Sequence, residues 1–300
     1  MLSVLFTESE LRFSQVVDFR GEPYVESFGV IPFSDIIKVD NASITLTWAE
    51  SLKNLHKKLG YPEKKIIAVF PAQSFSYCFQ MVDAALPENE KIRFLNWQGH
   101  EILDFNNDSD TLVHQKLSRV DSSELFISVA FPTSLKDNLS TACERSEFQI
   151  TELIFDIQGM GQLLQYGQLF DHENTYCLNI DKHSNHYLIK FHQNELAGVI
   201  DLKLQNNGVL RPLLYRGNQI KAESEVKYFS DVIKGVADFK DSSDRRVIFN
   251  GRNPDEDSSH AYGYDFSGIF NFRHSIEGKN LNQFASTLGA LVPGILVRFE

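Results

Sequence analysis

One order of elements, written twice, constrains this chain more than any single motif. From residue 3 the apolar and polar residues alternate, giving strands at 3–6 and 11–18, a turn at Arg20-Gly21-Glu22-Pro23 and a third strand at 24–31. This is an antiparallel meander. A helix follows at 48–59, capped by Thr47 and stopped by Gly60, with Trp48, Leu52, Leu55 and Leu59 at helical spacing. A short buried strand at 65–70 ends at Pro71. From residue 175 the pattern begins again: a hairpin over 175–204 with strands at 175–180 and 186–191, a turn at Gln205-Asn206-Asn207-Gly208, a helix near 223–237, a strand at 246–250 and a closing helix at 278–291. No residue-level repeat accompanies the duplication. Two related halves facing a cleft are expected, joined near residues 166–174.

Between the two runs lies extra material. A strand at 75–82 is followed by a helix at 88–101, which Pro87 opens and acidic residues fill in the first turn. Ile92, Leu95 and Trp97 give that helix an apolar stripe. An acidic turn at 105–110, strands at 111–119 and 125–131, a helix at 133–146, a strand at 152–155 and a helix at 156–169 complete the first half. The expected class is α/β with mixed sheets, in two lobes: residues 1–168 with a small subdomain inserted at about 72–120, and residues 169–300.

Composition excludes several functions. The net charge is −11, and no basic cluster is longer than Lys57-Lys58 or Lys64-Lys65, so a general affinity for nucleic acid is not expected. Cys78, Cys143 and Cys177 lie far apart in apolar stretches without CxxC or Cys/His spacing, which suggests small buried hydrophobes rather than zinc ligands or a disulfide framework. The N-terminal residues lack the basic and apolar regions of a signal peptide, and no uncharged apolar run reaches 18 residues. A soluble protein of a reducing compartment is the expectation. Phe, with 24 residues against 3 Met and 2 Trp, is the main core filler.

Several local patterns resemble one family. Phe28-Gly29-Val30-Ile31-Pro32 is similar to the end of the first meander in PilM-like proteins, and residues 65–74 resemble their following strand and Pro-containing turn. Ala85-Leu86-Pro87-Glu88-Asn89-Glu90 resembles the start of the helix in their inserted subdomain. Residues 125–131 with 136–142, and 284–291, resemble a later strand–helix segment and the closing helix. The chain therefore resembles the actin-like ATPase superfamily over roughly residues 3–292, most of all the branch of type IV pilus and type II secretion proteins that includes PilM and the cytoplasmic part of GspL. The resemblance implies a two-lobed, duplicated ribonuclease H-like fold. It also implies a protein partner, such as a short peptide segment of an envelope protein, and a cytoplasmic location peripheral to the inner membrane through that partner, without membrane insertion.

The family's nucleotide chemistry is where this chain departs. An actin-like site needs two phosphate hairpins and a Gly-rich adenosine contact. The first hairpin is Thr7-Glu8-Ser9-Glu10, without glycine and with two acids that would face a polyphosphate. The second is Asp181-Lys182-His183-Ser184-Asn185, with Asn179 where the family has an acid and Asp181 where it has glycine. Ser184 and Asn185 could still donate hydrogen bonds. At the adenosine position Gly251 survives in Phe249-Asn250-Gly251-Arg252, but Arg252 replaces the second glycine. If nucleotide binds, Ser184, Asn185 and Gly251 are the residues expected to touch it. No cofactor is the primary expectation, with ATP and magnesium as the alternative. No catalytic residue is assigned. His183, His186 and His192 meet no metal-ligand pattern, and Gly159-Met160-Gly161 reads as a helix start or kink. The expected function is a non-catalytic, partner-binding scaffold; the alternative is an ATP- and magnesium-binding switch or ATPase with altered phosphate loops.

Overall fold

The computed structural model describes residues 1–34, 41–60, 64–103, 105–120, 122–169, 173–180, 186–192, 195–204, 210–217, 245–251, 266–273 and 281–299. Strands β1 (Leu2–Phe6), β2 (Glu10–Phe19) and β3 (Glu22–Pro32) form the expected meander. Arg20 and Gly21, both with positive φ, make the tight turn between β2 and β3. Helix α1 (Asn41–Leu59) leads to β4 (Lys65–Phe70), and Gly60, at φ +67°, stops it as expected. The helix starts six residues before Thr47, which is no cap: its hydroxyl donates to the Ser43 carbonyl one turn back.

Next come β5 (Ser76–Asp83), α2 (Glu88–Ile102), β6 (Asp110–Val120), β7 (Ser123–Pro132), α3 (Thr133–Arg145), β8 (Gln149–Phe155) and α4 (Asp156–Tyr166). The second half holds β9 (Asn174–Ile180), β10 (His186–His192), β11 (Glu195–Leu204), β12 (Leu210–Gly217), β13 (Arg245–Gly251), the two-residue β14 (Asn271–Phe272) and α5 (Ala285–Phe299). The helix expected near 223–237 lies outside the described residues. The closing helix runs to Phe299 rather than ending at 291.

The duplication is written in the sheets. One sheet has the order β14-β3-β2-β1-β4-β8 and another β12-β11-β10-β9-β13. In both, a meander's third, second and first strands lie side by side, and the next strand joins the first in parallel: β4 on β1, β13 on β9. Parallel strands covered on both faces need unbroken apolar runs, and Ile66–Phe70 supplies one. A third, small sheet, β5-β7-β6, carries α2. Its central strand alternates: Leu125, Ile127, Val129 and Phe131 join the main core, while Glu124, Phe126 and Ser128 share the opposite face. Phenylalanine dominates that core, as expected: Phe70 packs against Phe6, Phe75 and Phe131, and Trp48 meets Phe6 edge-on.

The face of the small sheet beneath α2 is mixed: Val82 and Phe126 pack on Leu95, and polar groups lie among them. Glu124 accepts from Lys91 on α2 and from Lys116 on β6. His114 bridges Ser128 and Asn96, and Ser128 donates to Gln80. The expected stripe of Ile92, Leu95 and Trp97 does not face inward as a unit. Only Leu95 is buried; Ile92 and Trp97 are exposed. Helical periodicity found the apolar positions, but the inward face was claimed by Lys91, Leu95 and Gly99, whose polar bonds and small size fit the sheet.

Two helices join the halves. α4 leaves the first sheet and leads into β9; α5 comes from the second half and lies against β1, β2 and β4. Ser3 Oγ donates to the Thr287 carbonyl at 2.6 Å, and Ser14 Oγ pairs with Thr287 Oγ1 at 2.6 Å, all buried. Where α4 and α5 cross, Gly159 and Gly289 let backbone touch backbone, so Gly159 marks a crossing rather than a helix start or kink. A β-carbon on Gly289 would come within 1.7 Å of the Gly159 carbonyl oxygen.

Gly289→Ala should therefore destabilise the protein by on the order of 3 kcal/mol, read as a lower midpoint in urea, whereas Gly21→Asn at the exposed turn should change it little. The network under α2 gives a pH signature. Hydrogen bonds from Lys116 and Lys91 hold the Glu124 carboxyl at about 2, well below its ordinary 4.5, and burial lowers His114 from 6.5. Both groups bind a proton more readily when unfolded. Stability is thus fullest above pH 6.5, weakens as pH falls through the histidine range and weakens again from 4.5 towards 2. Glu124→Gln should remove the lower limb of an acid-unfolding profile and leave the upper limb.

Candidate functional site

Open sheets with parallel strands place ligands beyond the carboxyl ends of those strands. In the first half that edge is built by Phe6, Phe70 and Phe155, the last residues of β1, β4 and β8. In the second half it is built by Ile180 and Gly251, which end β9 and β13 and pair directly. Residues 181–185, which include Ser184 and Asn185, and Arg252 lie outside the described residues, so of the three expected contacts the structure places Gly251 alone.

The first hairpin is fully described and closes on itself. The Thr7 hydroxyl accepts from the amides of Ser9 at 3.3 Å and Glu10 at 3.1 Å, and donates to the Glu10 carbonyl at 2.9 Å. The Thr7 amide also donates to the Glu10 carbonyl, and the Ser9 carbonyl accepts from Phe33. A phosphate cradle needs several convergent amides, and here two of them serve a threonine side chain. Of the two acids expected to face a polyphosphate, Glu8 is exposed and Glu10 is buried. Glu10 takes a 2.6 Å hydrogen bond from the buried Arg12 Nε two residues along β2. Same-face spacing on a strand places the pair, a relation visible in the sequence as Glu10-Leu11-Arg12. Ser9 Oγ is buried and has no partner among the described residues.

A second acid escaped the sequence reading. Asp156 begins α4 directly after β8, and its buried Oδ1 accepts from the amide of Ala72 and from that of Ile157, each at 2.9 Å. It ties the end of β4 to the end of β8. An acid at a strand-to-helix junction, Phe155-Asp156, was the available signal.

In the second half, Asn179, Tyr187 and Asp201 sit opposite one another on β9, β10 and β11. Asn179 and Tyr187 are buried, and Asp201 Oδ1 accepts from the Tyr77 hydroxyl at 3.0 Å. Tyr77 belongs to β5, so the inserted sheet reaches over to the second half, and its ring is fully buried in doing so. His192 pairs with Asn174 at 3.2 Å, and His183 lies outside the described residues. Among the described residues no group of three His, Cys, Asp or Glu is placed to hold a metal. The cysteines are buried as expected, and burial pushes the Cys143 and Cys177 thiols up to about 12. No described helix is long and apolar enough to cross a membrane.

No family model matches the chain, and no curated protein matches it in sequence. Solved structures do. The PilM–PilN type IV pilus biogenesis complex is similar at a TM-score of 0.67 and 11% identity, over 100% of this chain and 98% of that one. The cytoplasmic domain of EpsL, an inner-membrane component of the type II secretion system of Vibrio cholerae, is similar at 0.45 and 10% identity, over 97% and 93%. The ethanolamine utilization protein EutJ from Carboxydothermus hydrogenoformans is similar at 0.41 and 10% identity, over 97% and 88%. The chain has the two-lobed actin-like fold.

The buried Glu10–Arg12 pair yields a sharp expectation. Glu10→Gln should cost on the order of 2 kcal/mol by taking one charged partner from the buried guanidinium, and Arg12→Met should cost at least as much by removing the ion pair of the buried Glu10 carboxylate. Denaturant midpoints of the three proteins check it; equal midpoints for Glu10→Gln and the unaltered chain would show the pair to be unimportant.

Proposed function

We propose that this protein is a partner-binding scaffold of the actin-like fold that does not turn over nucleotide. One observation carries the reading: the first hairpin uses Thr7 to satisfy its own amides and Arg12 to satisfy its own acid, so these groups are partnered without phosphate. The inserted sheet adds to it by placing Tyr77 against Asp201 on β11 of the second half. No cofactor is part of this proposal. A structure of the same fold is a PilM–PilN complex, which supports a protein as the partner here. In this proposal the partner is a short peptide segment of an envelope protein of a pilus- or secretion-type assembly. The protein then works in the cytoplasm, held near the inner membrane through that partner.

A second reading rests on Ser9. Its hydroxyl is buried and unpartnered at the very hairpin where an actin-like protein holds phosphate, and a bound anion would satisfy it. In this alternative the chain is an ATP- and magnesium-binding switch, with Ser184, Asn185 and Gly251 completing the contacts.

Melting with and without magnesium and ATP separates the two. A ligand at 100 times its dissociation constant stabilises by about 2.7 kcal/mol, a rise on the order of 5 °C for a chain of this size. The scaffold reading expects no rise and no phosphate release. A magnesium-dependent rise that Ser9→Ala abolishes would establish the switch instead.

A further inference from the structure

We infer that the outer face of α2 is a docking surface for a short segment of a protein partner that carries basic residues on either side of apolar ones. The inference rests on the partner-binding reading and gives that partner a place and a chemistry.

The inner face of the helix carries polar contacts beside the buried Leu95: Lys91 to Glu124 at 2.7 Å, Asn96 to His114 at 3.0 Å and the Leu95 carbonyl to Gln80 at 3.3 Å. Its outward side chains include Trp97, 61% exposed, and Ile92, 45% exposed. A helix free to rotate would bury the tryptophan. These three polar contacts fix its rotation, and a β-carbon on Gly99 would already lie 3.0 Å from Leu112, so a larger residue could not take that place unless Leu112 shifted. The exposure is therefore a property of the register.

The outward residues form one line. Glu90, Phe94, Trp97 and Glu101 are spaced four, three and four apart, which places them along one stripe of the helix. Phe94 and Trp97 are in ring contact at 5.9 Å, and Phe94 is anchored on the core of the small sheet. The stripe is an aromatic platform bracketed by two exposed carboxylates about 16 Å apart along the axis. Exposed charge on this helix is acidic on balance, with Glu88, Glu90 and Glu101 against Arg93. An extended peptide covers about 16 Å in about five residues. Two basic side chains that far apart reach the glutamates, while the apolar residues between them cover the rings. An anionic lipid surface is repelled by the same acids, and a second copy of this face repeats the like charge.

The protein reports on this surface by its own fluorescence, because its other tryptophan, Trp48, is only 2% exposed. The probe is a capped heptapeptide with lysine at both ends and leucines between; the control has glutamate at both ends. The expected result is a saturable shift of tryptophan emission to shorter wavelength with the lysine peptide alone. Calorimetry should show at least tenfold weaker binding to Glu90→Gln with Glu101→Gln, and to Trp97→Ala. Circular dichroism of these exposed-site variants should match the unaltered protein. The inference is overturned by no binding, by equal binding of the control peptide, by an emission shift with protein concentration alone, which would reveal a second copy, or by a shift on phosphatidylglycerol vesicles. A native partner held equally by the unaltered protein and by Trp97→Ala would refute this surface and leave partner binding intact. Failure of the unaltered protein to hold any partner would refute the broader reading instead.

Discussion

The crossing of α4 and α5 at bare glycine backbone is the contact on which the rest of the structure depends. α4 carries the chain from the first sheet to the second, and α5 carries it back, so the distance between these helices sets how the halves face each other. Gly159 and Gly289 bring the two backbones together, and Thr287, two residues before Gly289, is held by Ser3 and Ser14 on the meander strands. Buried hydroxyls that pair with one another and with carbonyls fix one register for α5, which apolar contact alone would leave free to slide.

Within that frame buried polar groups answer one another. Thr7 closes the first hairpin, Arg12 answers Glu10, Asp156 takes the Ala72 amide at the end of β4, and Tyr77 reaches Asp201. The first two bonds lie within one hairpin and strand, and the last two join separate elements. A buried carboxylate or amide needs a partner from somewhere, and this chain supplies it from its own side chains. Tyr77 differs from the others in kind, because it comes from the inserted sheet and crosses to the second half.

Much of this was legible in the sequence, for identifiable reasons. Strand alternation, the Arg20-Gly21 turn and the Gly60 stop are local signals, and each element formed where its own residues called for it. The duplicated order of elements was enough to foresee two matching sheets, since a meander followed by a parallel strand can be closed in few ways. What sequence could not show was direction. The period of α2 marked Ile92, Leu95 and Trp97 as apolar, but the inward side was decided by Glu124, Ser128 and Gln80 on strands 15 or more residues away in either direction. Likewise Glu10 read as an acid facing a cleft, because nothing local says that Arg12 will be buried beside it. α1 began before its supposed cap, as Thr47 can satisfy its hydroxyl within a helix by bonding back to Ser43. The hairpin at 181–185, the most altered motif in the sequence, lies outside the described residues, so its reading stands on sequence alone.

The small sheet shows how such a fold can carry an added surface without disturbing its core. Strand β7 gives Leu125, Ile127, Val129 and Phe131 to the main body and turns Glu124, Phe126 and Ser128 towards the side that α2 covers. The sheet is therefore held by hydrophobic burial on one side, and on the other the helix is held by the Val82, Leu95 and Phe126 cluster together with hydrogen bonds and one buried ion pair. A helix fixed in that way needs fewer apolar residues on its inner face. Trp97 then stands outward, and the desolvation of Lys91 and Glu124 is offset by their pairing. Such a layer can change what it presents while the strands beneath it, and the crossing of α4 and α5 beyond them, stay as they are.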